Sequence, residues 1–445
     1  MSLLESLSDR PGEQPLLFHL ERWHTVEEVR KTALAIRTQA KDAKSKRVML
    51  VSNTPGETLL TMLALDGFAS HLLLAGSTID ECTMHDLVLR AQIEKVFASG
   101  HPEWETFQSQ GDTVSQLTGD ESSETKWIIP TSGTTGAPKL VEHSLAAMSS
   151  SVRRDINRGG DFVWGLMYDV TRFAGIQVIL QAIIGGSSIA IPESMDDMET
   201  VGRNFYDAGV NAISATPSMW RKMVMAGILD RLNLEILTLG GEPADDRILT
   251  ELRTRFPASR ITHIYASTEA GVGFSVTDGK AGFPSSFIDR ELPGGVKIRV
   301  DSDMRLILSK KTQYGRYIGP DNLYDKEGWI NSGDLVEMKG DRYYFRGREN
   351  GTINVGGQKL QPSEVEEIIL AIPGVAMALV RARPNPVMGS LVEALVVPTK
   401  QEHMGSLKEE ILRECRSRLP AFKVPAIIKF TDEIPLTQAG KIKRI

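Results

Sequence analysis

Ile129-Pro-Thr-Ser-Gly-Thr-Thr-Gly-Ala-Pro-Lys139 carries the apolar end of a strand into a loop of two glycines, four hydroxyl residues and one lysine. Such a loop suits a polyphosphate. Glycines let the backbone approach and turn its N–H groups inward, hydroxyls add short donors, and the lysine supplies a mobile positive charge. A generic stretch of Ser, Thr and Gly would equally suit a surface turn. The Walker pattern G-x-x-x-x-G-K-[ST] is absent, because Gly136 is followed by Ala-Pro-Lys, so the usual nucleotide-triphosphatase reading fails.

Upstream of this loop, Thr25-Val-Glu-Glu28 has the pattern of a capping box, and Val26, Val29, Ala33 and Ile36 recur at helical spacing. Residues 47–52 form a short apolar run, 59–69 a helical stretch and 71–75 a second apolar run, a βαβ rhythm. The rhythm returns downstream at 188–191, 210–214 and 234–239, which predicts an α/β fold with mixed or parallel sheets covered by helices. From Gly294 short strands and turns take over (VKIRV, RLILS, RYYFRG), predicting a β-rich subregion. After Gly347 the pattern is strand 352–355, helix 363–371, strands 377–382 and 392–397, and helix 407–419. This predicts a large N-terminal domain, 1–347, and a small mobile α+β C-terminal domain, 348–445, of ordinary domain size.

The 445 residues exceed one compact domain, and 41% hydrophobic with 24% charged residues is ordinary for a globular chain. A formal charge of -6 gives no broad attraction to phosphate backbones or anionic membranes, so a nucleic-acid partner is not expected. Cys82 and Cys415 lack any Cys/His ligand spacing and read as reduced and structural. The opening residues carry acids and prolines where a secretory peptide needs an apolar run, and no run is long enough to span a bilayer; a cytoplasmic location is expected.

The loop resembles the phosphate loop T-S-G-[ST]-T-G-x-P-K of the adenylate-forming superfamily: acyl-CoA synthetases, nonribosomal peptide adenylation domains and luciferases. Four further segments agree in order: Gly240-Gly-Glu-Pro243, Tyr265-Ala-Ser-Thr-Glu269, Asn331-Ser-Gly-Asp334 with Gly347-Arg348, and Leu436-Thr-Gln-Ala-Gly-Lys441. The resemblance implies ATP-dependent conversion of a carboxylic acid to acyl-AMP, followed by thioester formation on CoA or on the phosphopantetheine of a carrier protein acting in trans.

By the same resemblance, Thr131, Ser132, Gly133, Thr134, Thr135, Gly136 and Lys139 would hold the phosphates, with Thr268 and Glu269 contacting phosphate and Mg²⁺. Glu269 offers the hard oxygen that this ion prefers, although a Thr-Glu pair alone is ordinarily a helix cap. Asp334 would accept the ribose hydroxyls with Arg348 assisting, and Tyr265 would lie against the adenine with a wet hydroxyl. Gly241, Glu242 and Pro243 would line the other side of the base. Lys441 would swing in with the small domain and bridge the carboxylate and the α-phosphate, offsetting the repulsion between two anions. Asn350 would be the pivot, and Gly356 and Gly357 would leave room for the pantetheine arm, or simply form a tight hairpin.

Three departures from the family pattern stand out. Leu140 replaces a common Gly after the lysine, the chain is shorter than typical relatives, and Tyr168-Asp169 stands where relatives often place an aromatic-His pair. Asp169 or Arg172 could read a polar substrate or pair with one another. The acid is expected to be a small or medium aryl or fatty acid. A stand-alone amino-acid adenylating enzyme, using Asp169, or a non-catalytic nucleotide-binding relative are the alternatives.

Overall fold

The computed structural model describes residues 1–445 except 77–78, 99–123, 132–137, 312–313, 386–388, 400–403, 438–439 and 443–445. The capping box forms as predicted, with the Thr25 side chain accepting from Glu28 N and the Glu28 carboxylate accepting from Thr25 N, and it opens the helix Val26–Gln39. The run at 47–52 is the strand Arg47–Ser52, followed by the helix Pro55–Leu65 and the strand His71–Gly76. That helix starts four residues before the predicted 59. Pro55 and Gly56 read as turn residues, whereas Pro is well suited to the first helical position, whose N–H has no partner in any case.

Two mixed sheets form the large part of the chain. One runs Gly315–Tyr317, Leu140–Ser144, Lys126–Pro130, His71–Gly76, Arg47–Ser52 and Lys95–Ala98 in spatial order. The other has eight strands, parallel in its interior from Arg260–Ser267 to Pro15–His19, with antiparallel pairs at both edges. The helix Phe173–Ile183 is apolar on nearly every face because it lies in a core built from residues of both sheets, among them Leu50, Trp127, Leu166 and Ile189. Buried Asp66 accepts from Leu3 N at 2.7 Å and Trp127 Nε1 at 2.9 Å, tying the N-terminus to this core, and burial pushes its carboxyl up to about 6. The β-rich subregion is a six-stranded sheet that includes Val296–Val300, Arg305–Lys310, Trp329–Lys339 and Arg342–Arg348.

Beyond Arg348 a separate core forms from residues 353–428 alone, where the helices Pro362–Leu370 and Met404–Arg418 pack on strands Val375–Asn385, Gly389–Pro398 and Ile427–Phe430. Cys415 is buried in it. Cys82 is exposed on the helix Glu81–Arg90, so the expectation that both cysteines are structural holds for Cys415 only. Among the described residues no helix is long and apolar enough to cross a membrane.

Candidate functional site

The shoulders of the 131–139 loop are fixed from three directions. Thr131 N donates to Lys139 O at 2.8 Å, closing the loop at its base. Arg172 donates to Pro130 O at 3.1 Å and Arg90 to Pro138 O at 2.8 Å. Ser132, Gly133, Thr134, Thr135 and Gly136 lie outside the described residues. Leu140, the departure after the lysine, is fully buried and begins the strand Leu140–Ser144, so an apolar residue there anchors the loop exit in the core. The Lys139 ammonium lies 3.5 Å from Asp321 and 4.6 Å from the Tyr317 ring centroid, lining a cleft of about 300 Å³ with Arg90 and Gly319.

Arg172 and Asp169 do not pair. One Asp169 oxygen accepts from both the amide and the hydroxyl of Thr171, each at 2.7 Å, and this closes a local turn. Tyr168 is buried, and its hydroxyl donates to Gly240 O at 3.3 Å. Burial raises its pKa.

Antiparallel pairing of Trp329–Lys339 with Arg342–Arg348 places Asp334 opposite Arg348, and the Arg348 Nε donates to Asp334 at 3.0 Å. The second Asp334 oxygen accepts from the Tyr265 hydroxyl at 2.6 Å. This differs from the expected wet hydroxyl. The Tyr265 ring stacks with Phe274 at 5.2 Å and with Phe345 at 5.3 Å, nearly parallel to both, so aromatic neighbours within the protein already engage the ring expected to meet adenine. Burial, reinforced by the Asp334 charge, holds its phenol well above the ordinary range.

Thr268 and Glu269 sit in the turn between the strands Arg260–Ser267 and Gly271–Val276. Glu269 lies within electrostatic range of Tyr317, Arg348 and Lys441. Behind this turn, buried His143 places Nδ1 3.2 Å from Tyr314 O, and burial lowers its pKa to about 4.

Lys441 comes within electrostatic range of Glu269, Asp334 and Arg348. Its Cε lies 3.0 Å from where a Cβ on Gly241 would stand, and Gly241 has φ +82, so glycine serves there both for its conformation and for its small size. Two bonds seat the tail, and a third anchors the Glu242 carboxylate that makes one of them. Thr216 Oγ1 donates to Gly440 O, Ile442 N donates to Glu242 at 2.9 Å, and the other Glu242 oxygen accepts from Ser218 N at 3.1 Å. Desolvation, helped by the Arg348 charge, pulls the Lys441 pKa below its ordinary value, against Glu242, Asp334 and Glu269, which hold it up. Glu242 therefore presents a carboxylate as a tether, where sequence suggested only a backbone lining; Thr216 gave no motif signal at all.

Asn350 falls in the short 3₁₀ turn Glu349–Gly351, bridged by Gln361, whose amide donates to Arg348 O at 3.1 Å and to Thr352 Oγ1 at 2.9 Å. Gly356 and Gly357, with φ 58 and 84, form the two-residue turn between the strands Ile353–Val355 and Gln358–Leu360. A Cβ on Gly357 would meet nothing within 4 Å, so its left-handed backbone, rather than crowding, demands glycine there.

The donor set suits a nucleotide with a hard cation. Glu269 offers one carboxylate oxygen of the kind such a cation prefers, and among the described residues there is no group of three or more His, Cys, Asp or Glu that could hold a metal ion.

Residues 27–311 match the family described as AMP-binding enzyme, and residues 364–441 match the AMP-binding enzyme C-terminal domain. The chain is 32% identical to feruloyl-CoA synthase of an Amycolatopsis species, over 71% of this chain and 67% of that protein. It is 28% identical to 4-hydroxybutyrate–CoA ligase 1 of Metallosphaera sedula, over 88% and 74%. The fold matches that of an anthranilate CoA ligase bound to anthranoyl-AMP with TM-score 0.78 at 15% identity, covering 99% of this chain and 95% of that one.

Proposed function

Because the chain belongs to the AMP-binding enzyme family, we propose from its site that Lys441, Glu269, Asp334 and Arg348 act together on ATP and a carboxylate held beside Gly241. The enzyme is an AMP-forming acid–thiol ligase that uses ATP, Mg²⁺ and CoA. The observation that carries the assignment of roles is the position of Lys441, against Gly241 and within electrostatic range of Glu242, Asp334 and Glu269.

In this reading the 131–139 loop cradles the phosphates, and the Asp334 carboxylate, oriented by Tyr265 and Arg348, accepts the ribose hydroxyls. Lys441 lies between the attacking carboxylate and the α-phosphate. An ammonium there offsets the mutual repulsion of two anions and aligns the attack, which needs charge stabilisation and positioning more than covalent help. Mg²⁺, when bound through Glu269, neutralises charge on the phosphate oxygens. Once acyl-AMP has formed, residues 348–445 turn about Asn350 relative to 1–347, and the thiol arm enters past Gly356 and Gly357.

The acid we favour is a small or medium aryl acid, on the strength of relatives named feruloyl-CoA synthase and 2-succinylbenzoate–CoA ligase. The amino-acid reading is weaker, because Asp169 is engaged by its own turn. A carrier protein remains the second acceptor to test. We also place the enzyme in the cytoplasm, where the free Cys82 and Cys415 would stay reduced. The test is acid-dependent exchange of labelled pyrophosphate into ATP across aryl, fatty and amino acids, then addition of CoA or carrier protein. An aryl acid giving exchange and a CoA thioester is expected; ATP binding with no exchange for any acid would refute the catalytic reading.

A further inference from the structure

Arg247 lies on the helix Asp246–Arg255, whose Ile248, Leu249 and Leu252 are buried in the N-terminal core and whose Asp246 carboxylate accepts from Ala281 N at 2.8 Å. Its side chain leaves that anchored base and reaches the C-terminal unit. Arg247 Nη1 donates to three backbone carbonyls there: Leu370 at 2.8 Å, Ile372 at 3.2 Å and Val375 at 2.7 Å. Leu370 is the last residue of the helix Pro362–Leu370, Ile372 lies in the turn that follows, and Val375 opens the strand Val375–Asn385. The final carbonyls of a helix lack intrahelical partners and form the negative end of its dipole, so a guanidinium is the complementary group. The helix and strand that offer these carbonyls share one core. On the opposite face of the same sheet, Met377, Leu379 and Val397 pack with Leu436 and Ile442, which flank Lys441. The body grasped by Arg247 and the tail bearing Lys441 are thus mechanically continuous.

We propose that Arg247 is a positioning residue for adenylation, a clasp that holds the body of the C-terminal unit where Lys441 meets Gly241. The bonds from Thr216 and Glu242 hold only the tail near Lys441; the clasp fixes the orientation of the unit behind it. This rests on the reading that the unit turns between the two half-reactions, because the clasp must then open before the thiol can enter. Arg247 donates to main-chain carbonyls alone in these contacts, so the clasp depends on the position of the backbone and on no particular side chain of the lid.

The test compares Arg247→Ala, Arg247→Lys and, as a control on the same helix, Arg255→Ala, which loses only ion pairs to Asp230 and Glu251. Arg247→Ala should lower acid-dependent pyrophosphate exchange about ten- to a hundred-fold, leaving thioester formation from supplied acyl-AMP at or above the wild-type rate. Arg247→Lys should fall between, because it keeps the positive charge but its shorter, more flexible stem holds one nitrogen against the three carbonyls less firmly. Equal losses in both half-reactions, or unchanged exchange, would overturn the proposal. A wild-type enzyme silent in exchange would indict the functional reading instead. The clasp is then read by spin labels on exposed Cys82 and on Glu409→Cys in the helix Met404–Arg418. One narrow distance that broadens in Arg247→Ala supports it, and identical distributions refute it.

Discussion

Thr216→Val isolates the bond that seats the lysine tail. The Thr216 side chain is fully buried and does two things with one oxygen: it accepts from Met219 N at 3.0 Å, capping the helix Pro217–Met225, and it donates to Gly440 O. Valine keeps the shape and removes both. Loss of the cap costs about 1 kcal/mol of stability in the N-terminal unit. The bond to Gly440 contributes about 1 kcal/mol in its own right, and leaving that carbonyl unpaired in a buried site adds about 1 more. A methyl also needs more room than a bonded hydroxyl, which pushes Gly440 and Lys441 outward. At about 1.4 kcal/mol per tenfold, adenylation should fall roughly 5- to 30-fold, while thioester formation from acyl-AMP holds. Thr216→Ser retains both bonds and should stay near wild type. Pyrophosphate exchange and a thermal melt on the three proteins decide it. If Val exchanges within about twofold of wild type while melting lower, the Gly440 bond does not seat the lysine.

Two further outcomes follow from the packing. His143 titrates at about 4 in the fold against 6.5 when free, so between those values the unfolded chain binds the extra proton and stability falls as pH drops. Wild type should lose about 3 kcal/mol relative to His143→Leu between pH 7 and 4 in urea titrations. Asp66, raised to about 6, pushes the other way but is common to both proteins; parallel stability curves would refute the assignment. Gly347→Ala places a Cβ 2.6 Å from Gln361 Oε1 at φ +110 and should cost about 1 to 3 kcal/mol. Adding Gln361→Ala should recover only the steric part, and full recovery would show that backbone strain contributes nothing.

The local parts of the fold were legible because their causes are local. The capping box at Thr25, the apolar run 47–52 and the motif order across 129–441 each depend on neighbouring residues or short spacings. Asp334 and Arg348 were named together from one matched segment, and strand register sets them opposite one another. Long-range contacts left no such trace. Thr216 meets Gly440 across 224 residues and Arg247 meets Val375 across 128; Thr216 reads as an ordinary helix cap, and an arginine in a first helical turn, although unfavoured there, names no partner. The Tyr265 hydroxyl was misread as wet for the same reason: its partner Asp334, like the ring partner Phe345, arrives from a different sheet.

The most direct measurement sets Lys441→Ala beside wild type in the two half-reactions separately, using the acid that supports the fastest pyrophosphate exchange. The account predicts a fall of about 10²- to 10³-fold in exchange, the scale of losing one charge-stabilising donor, with thioester formation from purified acyl-AMP and CoA preserved. Equal losses in both half-reactions would contradict it, because Lys441 would then serve the fold or the thiol step rather than the meeting of two anions beside Gly241.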